Sequence, residues 1–211
     1  MIPKRIFFYW GGSKLSWMRY MTLYSFRKYN PEWEMTLYYT KDNDVKDKTW
    51  KESNMQDFCS YQGPDYFHLI DKLSITVEDW SLKNNKIINT NLSMGPSHVS
   101  NFLKWSKLYE EGGIYSDLDI LYFRPIENFY MALINGDFDT AICQTEYLSI
   151  GILASKKGNP FFRDIFINGT QKFNPSMYQS AGVINIYDLY RENASEDNRP
   201  FIMERAKKNI S

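Results

Sequence analysis

The segment covering residues 97–123 constrains this chain more than any other. Ser97 or Ser100 opens an amphipathic helix running to Glu111, with Val99, Phe102, Leu103 and Leu108 on its apolar face. Gly112-Gly113 stops that helix, because glycine enters the left-handed region at little steric cost. The chain then enters an apolar run of Ile114, Tyr115, Leu118, Ile120 and Leu121, broken by Asp117 and Asp119. A strand region over 114–123 places both carboxylates on one face, since residues two apart on a strand project together. Carboxylates on an otherwise buried strand carry a desolvation penalty unless a counter-charge accompanies them. A divalent cation is one such counter-charge. Magnesium and manganese favour carboxylate oxygens and often bridge to phosphates.

The rest of the chain alternates strand and helix signals. Ile6 to Trp10 reads as a buried strand closed by Gly11-Gly12, and Ser13 caps a helix running to Tyr29. Residues 34–40 read as a second strand, 42–51 as a charged solvated loop, and 86–90 as another strand. Residues 52–83 read as irregular to helical. After Pro125 come strands over 138–144 and 150–155, then a Gly158-Asn159-Pro160 turn into a helix over 161–172. A late strand over 183–187 and a helical tail over 200–208 complete the pattern. Strands alternating with helices predict an α/β fold built on a layered sheet. The length of 211 residues suits a single domain over 1–211.

Lys plus Arg balance Asp plus Glu at 25 each, so no global field attracts nucleic acid or an anionic membrane. An anionic ligand must be held by a local arrangement of charges. The two cysteines, Cys59 and Cys143, form no disulfide framework and no thiolate metal site, which fits a reduced cytoplasmic setting. No segment reads as a signal peptide or reaches the length of a membrane span, so the chain reads as soluble.

Asp-x-Asp alone is a weak signal, common in surface loops. Its company here strengthens it. Residues 2–12 (IPKRIFFYWGG), Asn30-Pro31-Glu32-Trp33, the helix running into Gly-Gly-Ile-Tyr-Ser-Asp-Leu-Asp, and residues 154–161 (ASKKGNPF) together resemble the DXD sugar-binding glycosyltransferases. That group includes the yeast-type initiating mannosyltransferases and the catalytic domains of large clostridial glucosylating toxins. The resemblance spans most of residues 2–162 and is strongest over 108–125.

The resemblance implies a GT-A fold, a Rossmann-like nucleotide-binding mixed sheet flanked by helices. It also implies a UDP-sugar donor, Mn2+ or Mg2+, retention of anomeric configuration, and a glycan or glycoprotein acceptor. By motif position, Trp10 stacks on the uracil, with Tyr9 and Gly11 beside it, and Tyr115 packs near the nucleotide. Asp119 becomes the principal metal ligand, and Asp117 is shared between the metal and the donor's ribose or sugar. Toxin-like members carry Ser-Asp-x-x-Arg in the preceding helix. Here those positions read Ser100-Asn101-Phe102-Leu103-Lys104, leaving Asn101 for a sugar hydroxyl and Lys104 for a phosphate. Asp117, Asp119 and Lys104 are thus the expected catalytic set, an electrostatic rather than acid–base strategy.

Other residues carry weaker expectations. Asn185 and Asp188 are candidates for a third metal ligand from the late strand, and surface or capping roles are as good a reading. Gln144 and Glu146 can face the sugar. His98 sits within reach of the motif helix, although a plain helix-terminus histidine is the simpler reading; His68 carries no assignment. Two rival functions share the acidic pair. One is a haloacid-dehalogenase-type phosphatase, where Ile120 stands in place of the usual Thr or Val. The other is a non-catalytic nucleotide-sugar-binding module.

Overall fold

A computed structural model describes residues 1–12, 14–40, 61–80, 94–144 and 148–193. Its centre is a six-stranded sheet of β1 (Arg5–Trp10), β2 (Glu34–Tyr39), β3 (Thr76–Asp79), β4 (Gly113–Ser116), β5 (Thr140–Gln144) and β6 (Leu148–Ser155), in the order β3-β2-β1-β4-β6-β5. The first four strands of that order run parallel, while β6 is antiparallel to both β4 and β5. This is a mixed α/β sheet, as the strand and helix alternation predicts. Among the described residues, five α-helices flank it: α1 (Trp17–Tyr29), α2 (Pro96–Glu110), α3 (Glu127–Asn135), α4 (Pro160–Lys172) and α5 (Val183–Asn193).

The pleat of β1 divides the core. Ile6, Phe8 and Trp10 face one side, where they pack with Leu23 and Phe26 of α1 and Tyr130 and Leu133 of α3. Phe7 and Tyr9 face the other, packed with Phe102, Leu103 and Trp105 of α2 and Phe162 and Ile165 of α4. Both faces are covered, so the central strands read as continuous apolar runs. Ile114 and Tyr115 of β4 divide the same way, one to each side.

Several elements differ from the sequence reading. The β4 strand ends at Ser116, so the acidic pair stands in the turn beyond it rather than on a strand over 114–123. α1 starts at Trp17, capped by Ser16 Oγ accepting from the Arg19 N–H. Residues 183–187 are not a strand but the first turns of α5, packed on α4 through Asn185 and Ile186. A short 3-10 helix (Phe67–Leu73) and β3 occupy a stretch read as irregular to helical. α3 had no sequence-level counterpart. Ser13, the charged loop over 42–51, the strand at 86–90, Cys59, Glu146 and the helical tail over 200–208 lie outside the described residues.

Candidate active site

β1 and β4 are neighbours, but the chain leaves β1 toward β2 and returns to β4 on the opposite side. Their carboxyl ends therefore open a crevice at a switch point of the sheet, where open α/β sheets bind ligands. A cavity of about 600 Å³ occupies that place. It has the size of a small-molecule site. Trp10 and Gly11 close one end and Asp117, Leu118 and Asp119 form part of its wall. The first turns of α2 supply Ser97, Ser100, Asn101 and Lys104, and the start of β6 supplies Ile150 and Gly151. Because β6 runs antiparallel, its start lies beside the end of β4.

Asp117 is the best-anchored acid. Its N–H donates to the Gly151 carbonyl at 2.8 Å, extending the β4–β6 ladder one residue past the strand. Its carboxylate Oδ1 accepts from the Tyr115 hydroxyl at 2.6 Å and from Lys104 Nζ at 3.4 Å. Ser100 Oγ lies 2.8 Å from the same tyrosine hydroxyl, tying α2 to β4. Lys104 Nζ also donates to the Ile150 carbonyl at 3.2 Å and sits 4.4 Å from the Tyr115 ring centroid.

Burial sets the electrostatics of this cluster. Desolvation pushes the Lys104 ammonium below its ordinary pKa, while the negative charge of Asp117 opposes that shift. Desolvation, reinforced by Asp117, raises the Tyr115 phenol well above its ordinary value, so it stays a donor. Tyr122 closes the turn from below. Its hydroxyl donates to Ser116 Oγ at 2.7 Å, and burial pushes its pKa up to about 12.

Asp119 has a different environment. Its side chain is 64% exposed, and Arg19 Nη1 of α1 approaches Oδ2 at 3.8 Å. The chain that follows runs alongside α1. The Tyr122 N–H donates to Ser25 Oγ, and the Ile126 N–H donates to Asn30 Oδ1. These bonds fix the direction in which the turn leaves Asp117. Arg19 also lies near Trp10, with its guanidinium 5.9 Å from the indole centroid. Trp10 itself is only 7% exposed.

Of the residues picked from the sequence, Tyr9, Trp10, Gly11, Asn101, Lys104, Tyr115, Asp117 and Asp119 all line this one cavity. The Tyr9 hydroxyl donates to Thr40 Oγ1 at 3.1 Å, so its polar end is tied to the loop after β2. Asn185 is elsewhere. It is 2% exposed, its Nδ2 donates to the Ile165 carbonyl, and its Oδ1 accepts from Asn168. That set of bonds spends its amide on the α4–α5 contact and removes it as a metal ligand. Asp188 shares that helix and does not line the cavity. His98 is buried, with Nε2 3.1 Å from the carbonyls of Met177 and Tyr178. It anchors the segment that carries Tyr178 and Gln179 into the cavity wall. His68 lies in the 3-10 helix beside the Asp65 carbonyl. Gln179 belongs to a stretch, Gln179-Ser180-Ala181-Gly182, where many family relatives carry Gly-Pro, while Arg19 was not read from the sequence. A basic residue in the first turn after Trp10-Gly-Gly was the available signal for Arg19.

The donors around the pair suit a hard cation. Both are carboxylates, and among the described residues no third His, Cys, Asp or Glu joins them. Further ligands for a cation must come from water or from the substrate, the usual situation for Mg2+ beside phosphates.

A crevice at the switch point, walled by an acidic pair and a motif helix, fits a sugar-transferring enzyme of the DXD kind. Residues 16–138 match the family described as "Glycosyltransferase sugar-binding region containing DXD motif", and the chain belongs to that family. Among solved structures it is similar to "PaToxG Glycosyltransferase", at 16% identity and a TM-score of 0.56, over 99% of this chain and 75% of that one. It is also similar to the glycosyltransferase GlyE of Streptococcus pneumoniae TIGR4, at 12% identity and a TM-score of 0.46, over 99% of this chain and 45% of that one. No curated protein matches the sequence. The fold is that of the GT-A glycosyltransferases. Family membership sets aside both the phosphatase and the non-catalytic reading.

Proposed function

We propose that this chain, acting as one domain, transfers a hexose from a UDP-sugar to a glycan or glycoprotein hydroxyl, with retention and with Mn2+ or Mg2+. The observation that carries this reading is the pairing of a tethered Asp117 with an open Asp119 in the wall of one cavity that also contains Trp10. Asp119 holds the cation, and Asp117 presents its free oxygen to the cation or to a donor hydroxyl. A cation held there supplies charge stabilisation for the departing diphosphate. Trp10 and Tyr9 mark the base end of the cavity. Asn101, on the far wall near Gly182 and Gln179, marks the sugar end. Its amide donates or accepts without charge, which suits a neutral hydroxyl.

Lys104 acts through Asp117. Its ammonium is 2% exposed and committed to that carboxylate, so it sets the orientation and charge of the acid.

The test is a donor panel. Each nucleotide-sugar is incubated with the chain and Mn2+, and released nucleoside diphosphate is measured. Slow, Mn2+-dependent release from one UDP-sugar is the expected result. Release only from GDP- or dTDP-sugars would overturn the UDP assignment, and equal release after chelation would overturn the metal.

A further inference from the structure

We propose that Arg19 is the residue that receives the donor's diphosphate, and that it masks Asp119 until the donor arrives. This inference rests on the nucleotide-donor reading above. Among the described residues, four charged side chains line the cavity: Arg19, Lys104, Asp117 and Asp119. They form two cross pairs, Lys104 with Asp117 at 3.4 Å and Arg19 with Asp119 at 3.8 Å. Among these four, two cations and two anions sum to zero.

The two pairs are not equivalent. Lys104 is sealed in and held by a second bond to the Ile150 carbonyl. The Arg19–Asp119 pair is long, and its acid is mostly in water. A pair of that kind is worth little and exchanges readily. Arg19 stands at the third position of α1, where its N–H completes the Ser16 cap and its side chain reaches over the crevice. The guanidinium lies between the Trp10 ring and Asp119. A nucleotide with its base at Trp10 and its cation at Asp119 must place its diphosphate across that interval. A planar guanidinium fork matches two phosphate oxygens.

This arrangement couples the two ligands. A cation arriving alone meets an acid that already has a partner. A diphosphate arriving alone meets two carboxylates. Arriving together, the cation takes Asp119 and the diphosphate takes Arg19, so every charge keeps an opposite neighbour. Such coupling is reciprocal, and each ligand strengthens the other by the same factor.

The experiment measures binding of MnCl2 alone, UDP alone and both together, by calorimetry and by the electron paramagnetic resonance of free Mn2+. It compares the wild type with Arg19→Gln and Arg19→Lys, each checked for an unchanged circular-dichroism spectrum. In the wild type, Mn2+ should tighten UDP binding by about tenfold or more. Arg19→Gln should move the two affinities in opposite directions: UDP with Mn2+ weaker by roughly tenfold, Mn2+ alone tighter by several-fold. Arg19→Lys should keep Mn2+ alone weak and recover part of the UDP affinity. If Arg19→Gln weakens both affinities together, or alters neither while the wild type still binds UDP with Mn2+, the Arg19 assignment is overturned and the donor reading stands. If the wild type binds no UDP at saturating Mn2+, the donor reading falls first.

Discussion

At the scale of single residues, the two acids of the motif hold opposite positions in the structure. Asp117 is locked by a tyrosine, a buried lysine and a backbone ladder bond, whereas Asp119 is mostly solvated. Their variants should therefore fail in different ways. Asp119→Ala removes an exposed side chain, so the melting temperature should hold while Mn2+-dependent donor turnover falls by about 10²–10³-fold or more. Turnover that survives this change would remove Asp119 as the cation's ligand. Lys104→Ala deletes a sealed cation and leaves the Asp117 carboxylate without its counter-charge. Breaking a buried pair costs about 3–5 kcal/mol, and since Asp117 is about one-third exposed the lower end of that range is expected. Denaturant titration should register that loss, and kcat should fall alongside it. Wild-type stability with depressed kcat would instead place Lys104 on the diphosphate, as its motif position implied.

Elements decide where those residues stand, and here a pair of glycines sets the geometry. Gly112 ends α2 at φ 69°, with its N–H returning to the Lys107 carbonyl at 3.2 Å. Gly113 starts β4 at φ 108°, and a Cβ there would lie 2.9 Å from the Arg5 carbonyl oxygen and 2.5 Å from Arg5 Cγ. Together they turn a helix straight into a central strand, which fixes Ser100 and Lys104 opposite Tyr115 and Asp117. Gly113→Ala should destabilise the chain by about 2–4 kcal/mol from φ strain and overlap, measured by chemical denaturation. A cost under about 0.5 kcal/mol would mean the strand shifts freely there.

This helix–turn–strand unit was legible in the sequence because its signals are local: a periodic apolar face, a glycine stop and an apolar run. The elements that escaped depend on distant partners. β3 is exposed along its whole length at the sheet edge, so Thr76 to Asp79 carries no buried alternation to read. α5 begins Val-Ile-Asn-Ile, β-branched residues that favour strands, yet Ile186 and Asn185 find their burial against α4 and the segment coils. α3 buries only Tyr130 and Leu133, too few to mark a stripe. Arg19 had only a local hint, a basic residue in the first helical turn after Trp10-Gly-Gly, and it is the fold that brings that turn near Asp119.

For the molecule as a whole, the cavity is an assembly of two halves. One wall comes from the β1–α1 and α2–β4 units, and the other from the segment after α4, which carries Tyr178 and Gln179. Polar bonds fasten that second wall to α2. Trp105 Nε1 donates to the Ala181 carbonyl at 2.8 Å, and His98 Nε2 lies 3.1 Å from the carbonyls of Met177 and Tyr178. Phe173 packs edge-on against the His98 ring. Burial lowers the His98 pKa below its ordinary 6.5, although the two carbonyl contacts pull the other way. In the unfolded chain the imidazole takes a proton near pH 6.5, while in the folded chain it resists until lower pH. Between those two values the unfolded state binds more protons, so the contribution of His98 to stability falls as pH drops below about 6.5. Denaturant midpoints measured from pH 7.5 to 5 should decline through this window, and His98→Gln, which keeps a side-chain donor in that place, should flatten the decline. If the slope is the same in His98→Gln, other groups govern the acid limb. If donor affinity falls faster with pH than global stability does, the second wall opens before the domain unfolds. That order is expected because the His98 contacts hold this wall, while the sheet beneath it is packed on both faces.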